Sequence, residues 1–302
     1  MSKNNGDLGP TIYSISNLIS RFNSNDCAEF KNHVSNRFIK TGFNQFDTYV
    51  CFEQGKLIVF AGPPAMGTTA LCLSLIDKMT ENKENRVRYF SIGENATDVF
   101  EKIIVNHTEK STKVILNELK DSTKKNAFLL TVKELISKKL IIDDEKFDSY
   151  IDLTERIRHD QLTRKSSVYF VDNIQLLGKC GKSKLEMNLC LKSLKHLAVE
   201  YNCVIVILSG TSKTIVKRKN KKPKLSDLTD LGAFNRYADF IGLLYRPEYY
   251  GFCETKKKKS TNGLMTLFIK QINGEKYSLK FRFRLFAELH KFIEIHLIDE
   301  SN

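Results

Sequence analysis

The chain contains no stretch approaching the roughly 18 consecutive apolar residues of a membrane span. Its opening residues are polar, without the apolar core of a secretory signal. The expectation is a soluble, cytoplasmic protein without a membrane partner. The seven cysteines, Cys27, Cys51, Cys72, Cys180, Cys190, Cys203 and Cys253, are odd in number and scattered, with no C-x-x-C pair. That pattern suggests neither a disulfide framework nor a zinc site; Cys72 and Cys203 sit in apolar runs and read as small core residues. No internal repeat is visible. Acidic residues are under-represented, 35 against 48 Lys and Arg, a net charge of +13. That excess is either a solvated lysine-rich surface or the footprint of an anionic partner such as nucleic acid.

Hydrophobic residues make up 41% of the 302 positions, enough for a real core and too many for a disordered polymer. The length suits one large α/β domain with short additions. A polar tail leads to Ile12, Ile15, Leu18, Ile19 and Phe22 at helical spacing. We therefore read residues 1–36 as a tail with an amphipathic helix, placed to fold onto its own core or to dock on a neighbour, and 37–302 as the main domain. Strands are expected at Leu57–Ala61, Val87–Ile92, Leu140–Asp143, Val168–Asp172, Cys203–Ser209, Phe240–Tyr245 and Leu264–Gln271. Helices are expected at Ala70–Met79, through 97–140 and at Lys184–Tyr201. The β-branched run from Cys203 reads as a central strand. Lys256–Lys259, flanked by Ser and Thr, reads as an exposed loop. Strands alternating with helices predict a mainly parallel, doubly wound sheet.

Between the first strand and its helix lie Gly62, Pro63, Pro64, Ala65, Met66, Gly67, Thr68 and Thr69. The phosphate-binding pattern G-x-x-x-x-G-K-[ST] cradles phosphates on backbone N–H groups, neutralises charge with its Lys and holds Mg²⁺ with its hydroxyl. Both glycines and the hydroxyl of Thr69 are in place, but Thr68 stands where the Lys belongs. Taken alone, the segment also has a structural reading as a Gly/Pro turn between a strand and a helix.

The wider series decides between these. TGFNQFD (Thr41–Asp47), GKLIVFAGPPAMGTTAL (Gly55–Leu71), YFSIGEN (Tyr89–Asn95), VYFVDNIQLLG (Val168–Gly178), LKSLKHLAVEYNCVIVILSGTSK (Leu191–Lys213), KKPKLSDLTDLGAFNRYADFIGLLYRPEYYG (Lys221–Gly251) and FIKQINGEKYSLKFRF (Phe268–Phe283) follow one another in order. This series resembles the C-terminal motor domain of DnaB-type replicative DNA helicases over about residues 37–286. The resemblance implies a RecA-like P-loop NTPase fold, a role in DNA replication, ATP with Mg²⁺ as cofactors, and as partners single-stranded DNA and helicase subunits of the same or related kind.

Carried over residue by residue, the resemblance assigns the Walker B acid to Asp172 and the P-loop hydroxyl to Thr69, together the metal-binding pair. The P-loop Lys falls on Thr68. The catalytic Glu falls on Gly93, with Glu94 next to it. A strand-terminal Gln falls on Gly210, a DNA-facing Arg on Thr229, and the trans-acting arginine finger on Ile272, although Lys270, Asn273 and Gly274 remain. Asp172, Glu94 and Lys270 are therefore the candidate catalytic residues. The loop Lys213, Lys217, Arg218, Lys219, Lys221, Lys222 and Lys224 is the candidate DNA contact, without bases being read. Gly62, Gly67, Asp172, Asp239 and the Tyr245–Tyr250 segment also have a purely structural reading. Loss of Lys, Glu and finger together argues against efficient hydrolysis, since a finger alone is worth roughly 10³–10⁵ in rate. The expectation is a hydrolysis-impaired accessory or regulatory subunit. The alternatives are an active helicase in which Glu94 and Lys270 take over the lost roles, and a single-stranded DNA-binding accessory without nucleotide chemistry.

Overall fold

The computed structural model describes residues 37–50, 52–254, 258 and 260–295. The amphipathic segment Ile12–Phe22 and most of the Lys256–Lys259 loop lie outside the described residues. Nine strands form one sheet: β1 (Leu57–Gly62), β2 (Val87–Ser91), β3 (Leu140–Asp143), β4 (Val168–Asp172), β5 (Val204–Gly210), β6 (Phe240–Tyr245), β7 (Leu264–Ile272), β8 (Glu275–Phe286) and β9 (Lys291–Glu294), in the order β9-β8-β7-β6-β1-β5-β4-β2-β3. The six from β6 to β3 are parallel, and β7, β8 and β9 extend the sheet antiparallel. The mainly parallel sheet is as the sequence predicts. The run from Val204 is indeed internal, between β1 and β4, and its residues from Val204 to Leu208 are buried on both faces.

Helices cover both faces. On one side α2 (Thr68–Met79) and α3 (Ala96–Thr108) pack with α1 (Asn44–Tyr49) and the inner residues of β7 and β8. On the other side lie α6 (Tyr150–Thr163), α7 (Lys184–Glu200) and α8 (Leu231–Tyr237). The expected long helix through 97–140 is three: α3, α4 (Thr112–Glu118) and α5 (Ser122–Ser137). The first break is at Glu109, whose φ of 56° is left-handed; the second is at Asp121, whose carboxylate caps α5 by accepting from the Thr123 and Lys124 amides.

Of the labelled elements, α1, α6, α8, β8 and β9 had no counterpart among the expected ones. Helix α6 is announced by a capping box, Ser149 and Asp152. Strand β8 carries Phe281, Phe283 and Leu285 inward, with Lys280 before them and Arg282 and Arg284 between them, the alternation of a strand with one buried face.

Polar side chains fix the elements that carry the loops. Asp239, ahead of β6, accepts from the Leu57 amide (2.8 Å) and from Lys195 Nζ (2.6 Å), so it joins the starts of β1 and β6 to α7. Arg88 on β2 is buried between Asp143 of β3 and Asp160 of α6, with 2.6 Å to Asp160, and the Tyr169 hydroxyl also donates to Asp160 (2.7 Å). At the far end of α2, Asp77 meets His107 of α3 at 2.7 Å and Lys138 at the end of α5. Burial alone would raise the Asp77 carboxyl. The hydrogen bonds and charges of His107 and Lys138 outweigh it and hold the carboxyl at about 2.

A depressed carboxyl stabilises the fold above the unfolded-state pKa near 3.8 and loses that contribution as pH falls toward 2. Asp77→Asn is therefore expected to cost about 2 kcal/mol at neutral pH. Urea unfolding across a pH series should show the gap between parent and variant closing between about pH 4 and pH 2; a gap that stays constant would exclude the ion pairs as its source.

Candidate nucleotide site and DNA-facing loop

The P-loop turns out of the sheet at the carboxyl end of β1. Gly62 still pairs with Gly210 of β5, and the Met66 amide closes a turn on the Pro63 carbonyl (3.2 Å). The Met66 side chain is buried in the core while Pro64 and Ala65 stay exposed. Gly67 is the N-cap of α2 with φ 91°, and no side chain caps the helix. A Cβ there would lie 3.1 Å from the Phe292 ring of β9, so glycine is required by backbone and packing together. The leading amides of α2 thus carry no side-chain cap, the arrangement that suits a phosphate.

Thr69, on the first turn of α2, donates from Oγ1 to Asp172 Oδ2 at 2.7 Å. The Tyr89 hydroxyl donates to the same oxygen at 2.8 Å. Register explains the convergence: Ser91 pairs with Asp172 across β2 and β4, and Tyr89, two residues back, shares that face. Burial raises the Asp172 carboxyl, the Thr69 and Tyr89 hydrogen bonds oppose it, and the charge of Glu94 adds to the rise. Burial likewise pushes the Tyr89 phenol well up. A hydroxyl and a carboxylate side by side fit Mg²⁺, which takes hard oxygens and leaves its other positions to water and phosphates. Among the described residues no cluster of three or more His, Cys, Asp or Glu could hold a metal without such help.

A cavity of about 250 Å³ is lined by Thr69, Tyr89, Glu94, Asp172, Asn173 and Leu176, among others. The structure therefore brings together three of the sequence-predicted residues, Thr69, Asp172 and Glu94. The Glu94 carboxylate is engaged by Lys102 Nζ at 2.5 Å. Gly93 has φ 137°, and a Cβ on it would approach Leu176 Cδ1 to 2.7 Å. At Gly210, the Gln175 amide takes both backbone groups, accepting from Gly210 N (2.9 Å) and donating to Gly210 O (3.2 Å). Lys270 does not line this cavity. It sits in a bulge of β7 between the Ile241–Gln271 and Gly242–Ile269 pairs, its Nζ 5.0 Å over the Phe268 ring. Burial lowers its ammonium, and Lys280 and Lys222 lower it further.

The basic loop follows β5. An antiparallel bridge between Thr211 and Leu228 closes its base. Arg218 folds it, donating to both Asp227 oxygens (2.6 and 2.9 Å) and to the Lys222 carbonyl (2.9 Å). Lys221 is half-buried against the Val216 carbonyl. Lys217, Lys219, Lys222 and Lys224 are exposed; the Lys213 side chain lies outside the described residues. Sequence reading took all these cations as equivalent. The partner of Arg218, Asp227, follows the lysine run and is brought back onto it only by the fold.

Comparison with known proteins matches this geometry. The family model described as "DnaB-like helicase C terminal domain" matches residues 38–294. The chain belongs to that family. A "Probable plasmid replicative DNA helicase" of Chlamydia psittaci is 26% identical over 91% of the chain and 62% of its own length. "Replicative DNA helicase DnaB" of Geobacillus stearothermophilus is 24% identical over 85% of the chain and 56% of its own length. The chain thus spans little more than half the length of these relatives. Among solved structures, an isolated ATPase domain superposes with TM-score 0.76 at 22% identity, covering 95% of this chain and all of that one. "The Structure Of A DnaB-Like Replicative Helicase And Its Interactions With Primase" gives 0.75 at 21% identity, over 93% and 70%. Both support the RecA-like fold expected from the motif series.

Sequence reasoning missed Tyr89, Lys102, Gln175 and Arg246, whose guanidinium donates to the Ala65 carbonyl of the P-loop at 3.0 Å. For Tyr89 the strand's alternation was a usable signal; the others come from elements whose approach no local pattern announces.

The backbone at position 93 makes a specific prediction. A residue with a Cβ at φ 137°, against Leu176, is strained. Gly93→Glu should fail to raise ATP turnover, and Gly93→Glu and Gly93→Ala should each destabilise by about 1–3 kcal/mol in denaturant unfolding. A stable and faster Gly93→Glu protein would contradict the geometry.

Proposed function

We propose that the chain is a DnaB-type subunit that binds single-stranded DNA and, weakly, Mg²⁺–ATP, with hydrolysis impaired, and that it serves as an accessory or regulatory partner of helicase subunits of the same or related kind. The observation that carries this is the composition of the P-loop cavity. It holds the hydroxyl and carboxylate suited to the metal, yet Thr68 leaves the phosphates without a P-loop ammonium, and the backbone at Gly93, φ 137°, is one that the missing Glu would adopt only with strain. Bound Mg²⁺ would supply positive charge at the phosphate oxygens, held by Thr69 and Asp172. The leading amides of α2 would receive the anion.

Glu94 is the one feature that favours a working helicase, since it lines the cavity. Against it stands the Lys102 ion pair, which engages the carboxylate. Lys270 could act only on another subunit's nucleotide, because it does not line the cavity of its own chain. The cost of these absences is large: hydrolysis relies on charge placed around the transferred phosphate, and each cation removed raises the barrier directly.

ATP turnover is therefore expected near background, with or without single-stranded DNA. A DNA-stimulated rate that vanishes in Asp172→Ala would replace this reading with the working-helicase one. In the same assay series Thr68→Lys should tighten nucleotide binding by about 1–3 kcal/mol without restoring turnover. Unchanged affinity would mean that the loop is no phosphate cradle, leaving DNA binding as the activity.

The loop generates a separate expectation. Arg218 is committed to Asp227, so the test variant should spare it. Replacing Lys217, Lys219 and Lys222 with Ser should lower affinity for single-stranded DNA and flatten the log–log salt dependence by about 2, at about 0.7 per phosphate contact. Equal binding by parent and variant at every salt concentration would reduce the loop to a solvated surface.

A further inference from the structure

A carboxylate offers about four lone-pair sites, about two on each oxygen. On Asp172 both sites of Oδ2 are filled from within the chain: Thr69 Oγ1 donates at 2.7 Å and the Tyr89 hydroxyl at 2.8 Å. The first donor belongs to the helix after the P-loop. The second comes from the middle of β2, where Tyr89 pairs with Phe170 of β4 and Ile142 of β3. Its side chain is 1% exposed and belongs to the same core cluster as Leu71 and Leu75 of α2. In an interior this closely packed the hydroxyl cannot withdraw from Asp172 unless the ring unpacks. Tyr89 also lines the cavity of about 250 Å³ that Thr69 and Asp172 share.

We propose that Tyr89 is a positioning residue that does for Asp172 what the water shell of a divalent cation would otherwise do, so that nucleotide binds this chain with little dependence on Mg²⁺. This rests on the reading of Thr69 and Asp172 as the metal-binding pair of a nucleotide site. Mg²⁺ gives up its waters reluctantly, and it meets carboxylates with much of its shell in place. A water of that shell would donate to the carboxylate oxygen nearest the Thr69 hydroxyl. That oxygen is Oδ2, and the phenol already donates to it. The buried carboxylate is thus satisfied by the protein alone, and the cation gains less from approaching it. The P-loop turn and the amides at the start of α2 remain to receive an anion, and neither needs the metal to keep its place.

The test measures binding of β,γ-methylene-ATP in MgCl₂ and in EDTA, for the parent and for Tyr89→Phe, which removes the hydroxyl and keeps the ring. In the parent the two affinities should nearly agree. In Tyr89→Phe the affinity in MgCl₂ should exceed that in EDTA by on the order of tenfold, the worth of one hydrogen bond to a charged group. The ratio is the readout, because a purely structural loss lowers both affinities together. Equal ratios in parent and variant, whether large or close to one, refute the role of Tyr89 and leave nucleotide binding standing. A strong Mg²⁺ requirement in the parent refutes it alone, so the test does not depend on how well the variant folds. Absence of binding by the parent in both conditions removes the nucleotide reading itself, and this inference with it.

Discussion

The shared oxygen of Asp172 organises the centre of this molecule. Two hydroxyl groups, Thr69 from the helix after the P-loop and Tyr89 from the neighbouring strand, converge on Oδ2. That joins α2, β2 and β4 at the carboxyl edge of the sheet. The carboxylate is largely removed from water, so these hydrogen bonds are what make its position tolerable. The P-loop leaves β1 at the same edge, and its turn at Gly67 is locked from behind by Phe292. The geometry of the P-loop turn is thus kept by packing and hydrogen bonding that do not depend on the missing P-loop lysine.

This separation of scaffold from charge explains how the chain can keep the family's shape with Thr68, Gly93 and Ile272 at the positions of the lysine, the glutamate and the arginine finger. The scaffold depends on burial: both faces of the parallel strands are apolar, and Asp239, Arg88 and Asp77 pin strands and helices through ion pairs and backbone contacts. The missing groups are cations and a carboxylate at solvent-facing positions, whose removal leaves no cavity and no unpaired buried charge. Such losses are nearly silent in stability and severe in electrostatics. A concentration of positive charge lies elsewhere, in a loop whose shape is set by the bidentate Arg218–Asp227 pair and by the bridge at Thr211 and Leu228.

Much of the fold was legible in the sequence because its signals are local. The apolar strands at Leu57, Val168, Val204 and Phe240 announce themselves by composition, and Gly62 and Gly67 by their spacing before a helix. Strand β8 was harder to read, since Phe281, Phe283 and Leu285 alternate with basic residues that resemble a solvated surface until a partner strand is known. Helix α6 has a clear cap and a weak apolar stripe. At the site, Thr69, Asp172 and Glu94 were each identifiable from motif position, because each follows a strand whose end is recognisable.

What the sequence by itself determined, then, is the strands of the parallel core, the helices after Thr68 and Lys184, the Gly62–Thr69 loop and the absence of a lysine within it, all consequences of residue type at fixed short spacing. Only the tertiary structure decided which side chains meet. Tyr89 reaches Asp172, Lys102 holds Glu94, Arg246 grips the P-loop and Arg218 closes on Asp227. The physical reason is that strand register and loop closure set these distances, and neither is encoded in the pattern of any one segment.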